Sequence, residues 1–387
     1  MKRSHTLLLT LLAVLTILTS CRDDNIVVYP TEHDTGHKVI TDYIGLYVLN
    51  EGNMGSNKCT LDYLDLATGV YNRNIYPSRN PSQVMELGDV GNDIKIYGQS
   101  LWMVVNMSNK VEVANALTAV SRGHVDIPNC RFVAFDGGYA YVSSYVGEIN
   151  KESVVGGVYK VDTTSLQVVG KVNVGFQPDE LAVANGKLYV ANSGGYQALQ
   201  GKGYDNRVSV IDLASFTLER HITVAPNLSM LRADRHGNLW VVSRGDYINY
   251  PSRLYHLRPD TKGAMTVTDS IDAPVAGMDL LGDSIYFYGS TYNSQWQPQT
   301  TFGIIDITKC EIVNNKLIQQ PADNPIKTAY GLKIHPLTHD LYILDATNYV
   351  SSGKLYCFDS EGNYKWVTWT GDIPGHCVFL TKERVDR

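Results

Sequence analysis

Tyrosine, asparagine and a few ionic side chains crowd into a handful of short stretches, and those stretches set the chemistry this sequence can do. One runs from Asn192 to Asn206 and holds Tyr196 and Tyr204. A second, Ser243 to Tyr250, holds Arg244 and Tyr247; a third, Ser290 to Trp296, holds Tyr292 and Trp296. Tyr145 and Tyr349 stand in comparable stretches. Asn50, Asn92, Asn106, Arg131, Asp179, Tyr330 and His376 complete the set, with Asp89, Asn129, Gln177 and Asn227 beside them. A rigid ring with a polar tip gives contact area at low entropy cost. Amides, guanidinium groups and carboxylates add directional hydrogen bonds. The combination suits capture of a sizeable ligand that carries polar groups around an apolar frame.

Local motifs for bond-making chemistry do not occur. The sequence has no His-Glu-x-x-His, no Gly-x-Ser-x-Gly and no phosphate loop. His335 and His339 lie close together, but in a segment that reads as a hairpin turn. Asp359-Ser360-Glu361-Gly362-Asn363 reads as an Asx turn rather than a calcium loop, because the remaining ligands are missing. Besides Cys21 there are five cysteines, Cys59, Cys130, Cys310, Cys357 and Cys377, and no Cys-x-x-Cys spacing. Neither a zinc motif nor a disulfide framework can be read from them. Cys59, Cys357 and Cys377 sit in strand-like runs, as small buried thiols do. The expectation is a binding protein with no resident metal or cofactor.

The elements that must position these residues follow from a repeat. Leu46-Tyr47-Val48, Leu101-Trp102-Met103, Ala140-Tyr141-Val142, Leu188-Tyr189-Val190, Leu239-Trp240-Val241, Ile285-Tyr286-Phe287 and Leu341-Tyr342-Ile343 recur 39 to 56 residues apart. Each later copy follows a tight-turn signal such as Gly137-Gly138 or Asn185-Gly186. A third strand and then a fourth come after it, as in Val208 to Leu213 and Leu218 to Val224. Seven copies of four antiparallel strands predict an all-β, seven-bladed β-propeller over residues 42–387. The first copy lacks an inner strand, and His376 to Leu380 is a strand without a partner. The C-terminal strand should therefore close the ring by completing the first blade, which leaves no free edge. Two β-sandwich domains are the weaker alternative, since no linker-like break occurs between residues 42 and 380. In a propeller the second-strand exits and the links between blades share one face, so the aromatic stretches above should converge on one channel mouth. An enzyme with a site distributed over several blades would leave no local motif, and stays as a minority alternative.

Composition agrees. The chain has 387 residues, 44% hydrophobic and 19% charged, with 25 Tyr against 8 Phe and 33 Gly. That mix favours short strands joined by turns. A net charge of −6 gives a nucleic-acid partner little electrostatic support. The N-terminus reads as an export signal. Lys2 and Arg3 precede an apolar run from Leu7 to Leu18, too short to span a bilayer. Removal of residues 1–20 takes those two cations and no acid, which makes the remainder more negative still.

Three resemblances extend this reading. Leu18-Thr19-Ser20-Cys21 resembles a bacterial lipobox, which implies a lipid on Cys21, a tether over residues 21–41 and an outer-membrane anchor. Asp23-Asp24 resembles the surface-export signal of Bacteroidota lipoproteins. Asn185 to Gly194 followed by Val208 to Leu213 resembles the YVTN, or surface-layer, propeller repeat. So do Leu49-Asn50-Glu51-Gly52-Asn53 and Val104-Val105-Asn106 in the first two blades. Together these resemble the lipoprotein propellers of Bacteroidota, including the BtuG group. That resemblance implies a surface protein that captures a corrinoid (vitamin B12) and passes it to a TonB-dependent outer-membrane transporter. A glycan-binding lipoprotein and a non-catalytic protein-interaction scaffold are the alternatives.

Overall fold

The computed structural model describes residues 31–83, 86–148, 151–292 and 298–382. The signal stretch, Cys21 and Trp296 lie outside the described residues, and of Tyr292 only the backbone, at the end of a strand, is described. Seven antiparallel sheets, each the product of one sequence repeat, form the propeller. The inner strands of the second to seventh blades are Gly91–Tyr97, Cys130–Asp136, Pro178–Ala184, Leu228–Ala233, Val275–Leu281 and Ala329–Ile334. The first blade takes its inner strand, Pro374–Thr381, from the far end of the chain. It pairs with Tyr43–Asn50 in the expected way, with Cys377 opposite Val48 and Phe379 opposite Leu46.

Alternation along the second strands explains how the ring is filled. Successive side chains point to opposite faces of a strand, and here both faces meet a neighbouring blade. Leu101, Met103 and Val105 pack towards the first blade, while Trp102 and Val104 pack towards the third. The same split recurs around the ring, so the apolar core consists of seven clusters, one at each seam. The aromatic of each repeat fills a seam: Trp102 and Trp240 are fully buried and Tyr141 and Tyr342 nearly so. Cys59 and Cys357 are buried thiols, as expected, and Cys377 is half-buried.

The start of the chain departs from the sequence reading. Within the stretch read as a tether, Glu32–Asp34 pairs with Val70–Asn72 as a fifth strand of the first blade. The Val39 amide then donates to Leu66 O, and Val39 packs on the seam between the seventh and first blades. The cause is the short fourth strand of that blade, whose outer edge would otherwise present unpaired backbone groups. Polar composition hid this strand, because an outermost strand needs no apolar face. Among the described residues no helix is long and apolar enough to cross a membrane.

Candidate functional site

A cavity of about 530 Å³ opens at the channel mouth on the face that carries the second-strand exits. Its lining draws on all seven blades, from Glu51 and His376 in the first to Tyr330 and Tyr349 in the seventh. One local device places most of these side chains. The register of the inner strand slips where it starts, between Gly91 and Asp93, Pro178 and Leu181, Leu228 and Leu231, Val275 and Gly277, and Ala329 and Gly331. A bulge re-aims the extra residue. Asn92, Asp179, Glu180, Ser229, Met230, Ala276 and Tyr330 occupy those slips, and every one of them lines the cavity. In five of the links a residue with positive φ sits just ahead: Val90, Asn129, Gln177, Asn227 or Ile373.

Arg131 is the electrostatic centre of one wall. Its Nε lies 3.5 Å from Asp179 Oδ1, and its guanidinium carbon lies 4.7 Å from the centre of the Tyr145 ring. Tyr145 donates a hydrogen bond of 2.5 Å to the same Asp179 oxygen. Tyr196 stands edge-on to Tyr145 at 5.2 Å, and Arg244 approaches the other Asp179 oxygen at 4.0 Å. Burial disfavours the Arg131 cation, but Tyr145 and Asp179 outweigh it and hold its pKa above the usual value. Arg131 Nε is nevertheless buried without a hydrogen-bond acceptor. Its contact with Asp179 is thus an ion pair rather than a hydrogen bond, and a buried donor left without an acceptor is costly.

The opposite wall is a carboxyl among rings. Tyr330 donates to Glu51 Oε2 at 3.2 Å, and Tyr349 stands edge-on to Tyr330 at 5.4 Å. Burial raises the Glu51 pKa to about 7, against the opposing pull of the Tyr330 hydrogen bond and the Arg131 charge. Burial also pushes His376 down to about 4, with Arg232, Lys95 and Arg131 adding to the effect and Asp93 opposing it, so the imidazole is neutral at pH 7. Gly277 leaves room for the Tyr288 ring on this side, since a Cβ there would collide with it.

Seven of the residues expected from sequence line the cavity together: Asn92, Arg131, Asp179, Arg244, Tyr330, Tyr349 and His376. Tyr145 and Tyr196 form the layer behind Arg131. Tyr204 and Tyr247 touch each other edge-on at 6.3 Å outside that lining, and Tyr247 is 72% exposed. Asn50 and Asn106 are buried at strand ends and serve the fold. Asn50 donates to Thr60, and Asn106 donates to Asn129 Oδ1 and Cys130 O, tying the second blade to the third. Asn129 and Gln177 turn the links, and the Asn129 side chain holds Gly147 O. Glu51, Phe132, Glu180, Met230, Tyr288 and Lys327 line the cavity without having been expected. The signal for several of them was the second or third residue of each inner strand, a position that only the bulge makes meaningful. The His335 segment is the turn it reads as, since His335 Nδ1 accepts from the amides of Leu337 and Thr338. Asp359 caps its Asx turn through the amides of Glu361 and Asn363.

Comparison with known proteins adds a family and a fold. Residues 44–366 match the family described as "Domain of unknown function (DUF5074)". No curated protein matches. Among solved structures, a quinoprotein alcohol dehydrogenase-like protein from Bacteroides thetaiotaomicron is 11% identical, with a TM-score of 0.60, over 87% of this chain and 78% of that one. Hydrazine synthase of Kuenenia stuttgartiensis is 16% identical with a TM-score of 0.57, over 70% and 77%. A functionally unknown protein from Desulfotomaculum acetoxidans is 9% identical with a TM-score of 0.56, over 87% and 99%. At these identities the likeness carries the fold alone.

Proposed function

The chain belongs to the DUF5074 family, and from that premise and the chemistry of the channel mouth we propose that it captures a ligand there without transforming it, and that the ligand is a corrinoid. The observation that carries this reading is the cavity wall. Rings and aliphatic groups (Phe132, Met230, Tyr288, Tyr330) alternate with donors at Arg131, Arg244 and Lys327 and with acceptors at Glu51 and Asp179. A corrinoid is a largely apolar ring frame around a cobalt ion, with amide side chains at its edge. Amide carbonyls suit the cationic donors, and amide N–H groups suit the carboxylates. Much of so large a ligand would rest on the rim, where Tyr247 and Tyr349 are exposed. Several anchors on a rigid ring favour tight binding, because little ordering entropy is lost.

The lipobox supports a lipid anchor on Cys21, outer-membrane location with surface display, and delivery of the ligand to a TonB-dependent transporter. Calorimetry on purified residues 22–387 tests the ligand, with cobalamin, a cobinamide precursor and a panel of oligosaccharides. Nanomolar binding of a corrinoid that is recovered unchanged is the expected result. Heat with a sugar and none with any corrinoid replaces this reading by glycan capture, which the exposed Tyr247 and Tyr349 rings favour as the second reading. Silence with every ligand leaves the interaction scaffold. The anchor has its own test: Cys21→Ala should release the protein from the membrane or stop its processing.

A further inference from the structure

The seam between the fifth and sixth blades holds a group of side chains that the channel mouth does not use. His256 lies in the third strand of the fifth blade, Arg253–Pro259, and Asp269 is its direct neighbour in the fourth, Met265–Ile271. Cys310 reaches in from the last turn of the sixth blade. The imidazole, carboxylate and thiol ligand atoms all lie within 4.8 Å of one another. His256 is 1% exposed, stacks on Trp240 at 3.9 Å, and has no hydrogen-bond partner at either ring nitrogen. Buried imidazoles ordinarily have one.

Comparison among the blades shows how unusual this corner is. The turn between the third and fourth strands places a residue at positive φ in every blade: Gly69, Ala119, Leu166, Phe216, Gly263, Cys310 and Gly362. Where that residue has a sizeable side chain, it points back into the seam with the preceding blade, as Leu166 and Phe216 do. Cys310 follows the same path, packing on the seam of Trp240 and Phe287. Only the sixth blade puts a thiol there. Position 256 is likewise the residue opposite the seam aromatic, which the other six blades fill with Tyr63, Val113, Lys160, Val210, Ile304 and Cys357. Geometry would accept an apolar residue at both places, yet this seam carries two metal-binding groups and a carboxylate.

We propose that His256, Asp269 and Cys310 bind one divalent transition-metal ion of the zinc class, joining the outer strands of the fifth blade to the sixth. A thiolate, an imidazole and a carboxylate together suit zinc and its neighbours and not calcium or magnesium. Typical bonds are about 2.3 Å to sulfur and 2.0–2.2 Å to nitrogen or oxygen. A tetrahedral ion with such bonds sets its ligand atoms about 3.4–3.6 Å apart, so atoms within 4.8 Å of one another close by at most about 1.4 Å, a distance that side-chain rotation supplies. Three protein ligands leave a fourth position for water on the exposed side, where Asp269 stands. The site stands apart from the channel mouth, so the corrinoid reading can fail without it.

Cobalt(II) titration of purified residues 22–387 under reducing conditions tests the proposal, since a cobalt–thiolate bond has its own near-ultraviolet absorption. One equivalent should bring up that band, and zinc should displace it. Cys310→Ser should remove the band and the rise in melting temperature that zinc gives the unsubstituted protein. Cys130→Ser should keep both. Asp269→Asn, at an exposed position that leaves the core intact, should keep the band while weakening zinc at least ~10-fold, the lower range for loss of a supporting ligand contact. Cobalt binding without a thiolate band, a band that survives Cys310→Ser, or full zinc affinity in Asp269→Asn overturns it.

Discussion

The two faces of the propeller differ in the balance between polar contacts made within a turn and polar contacts made between blades. On the face of the tight turns most carboxylates and amides serve their own turn, although Arg235 and His236 of the fifth blade also pair with Asp283 of the sixth and Asn185 of the fourth donates to Gly237 O of the fifth. Asp65, Asn115, Asp162, Asp212, Asp260, Asp306 and Asp359 each accept amide hydrogen bonds from residues two to four further on. On the channel-mouth face the partners of the ionic groups at the cavity come from other blades, even though Asp246 and Asn348 in the exit loops accept from their own turns. Arg131 of the third blade meets Asp179 of the fourth, and Tyr330 of the seventh meets Glu51 of the first. Local satisfaction makes a turn that forms by itself and has nothing left to offer. Satisfaction across blades is incomplete: Arg131 Nε faces Asp179 at 3.5 Å as an ion pair without a hydrogen bond. The contrast separates scaffold from site without reference to any motif.

Cutting the ring is the severest way to test that contrast. Truncation at Gly375 removes the strand that carries His376, Phe379 and Leu380 and leaves Tyr43–Asn50 without its inner partner. Loss of two or three large buried side chains costs about 1.5–3 kcal/mol each, before backbone bonds are counted. Unfolding should lose cooperativity, and binding at the mouth should vanish. A truncated protein that melts like the full chain would refute closure.

Arg131→Ala probes the cross-blade face alone. Removing an anchoring contact of this kind costs around 2 kcal/mol, or roughly thirtyfold in affinity. Calorimetry with cobalamin should show that loss while circular dichroism stays native. An unchanged affinity would place the ligand elsewhere.

Acidity gives a subtler readout. The Glu51 pKa is raised from 4.5 to about 7 in the folded protein. The folded state therefore favours the protonated acid, and this stability is fully present below pH 4.5 and lost as pH rises through 7. Glu51→Gln should abolish the loss. Its denaturation midpoint should exceed that of the unsubstituted protein at pH 8 and match it at pH 4.5, a difference of about 1–2 kcal/mol once solvent screening is allowed for. Parallel pH profiles for the two proteins would show that Glu51 is not the group responsible.

The turn face should respond least. Asn115→Ala removes the acceptor of the Leu117 and Thr118 amides. A cost of about 1 kcal/mol in urea unfolding is expected, with no change in ligand affinity. An effect on binding would break the separation between the faces.

Much of this architecture was legible in the residues themselves. The recurrence of Leu-Tyr-Val and its relatives at blade spacing gave seven blades, because each blade must bury both faces of its second strand. The unpartnered run at residues 376–380 gave the closure, because a free strand needs an edge. Residues 32–34 escaped notice, since an outermost strand carries no alternation to detect. Sequence also assembled seven of the nineteen residues that line the channel mouth, from Asn92 to His376.

Sorting ligand contacts from clamps was beyond it. Asn50 and Asn92 look alike in sequence, but one ends a second strand and ties Thr60, while the other occupies a bulge and faces the cavity. The corner of His256, Asp269 and Cys310 had no spacing to betray it, because its members belong to three elements of two blades. Periodicity and turn chemistry are local, so a single strand reveals them. Where a side chain ends up depends on one-residue register slips and on which blade comes next around the ring, and those are settled only when all seven sheets pack together.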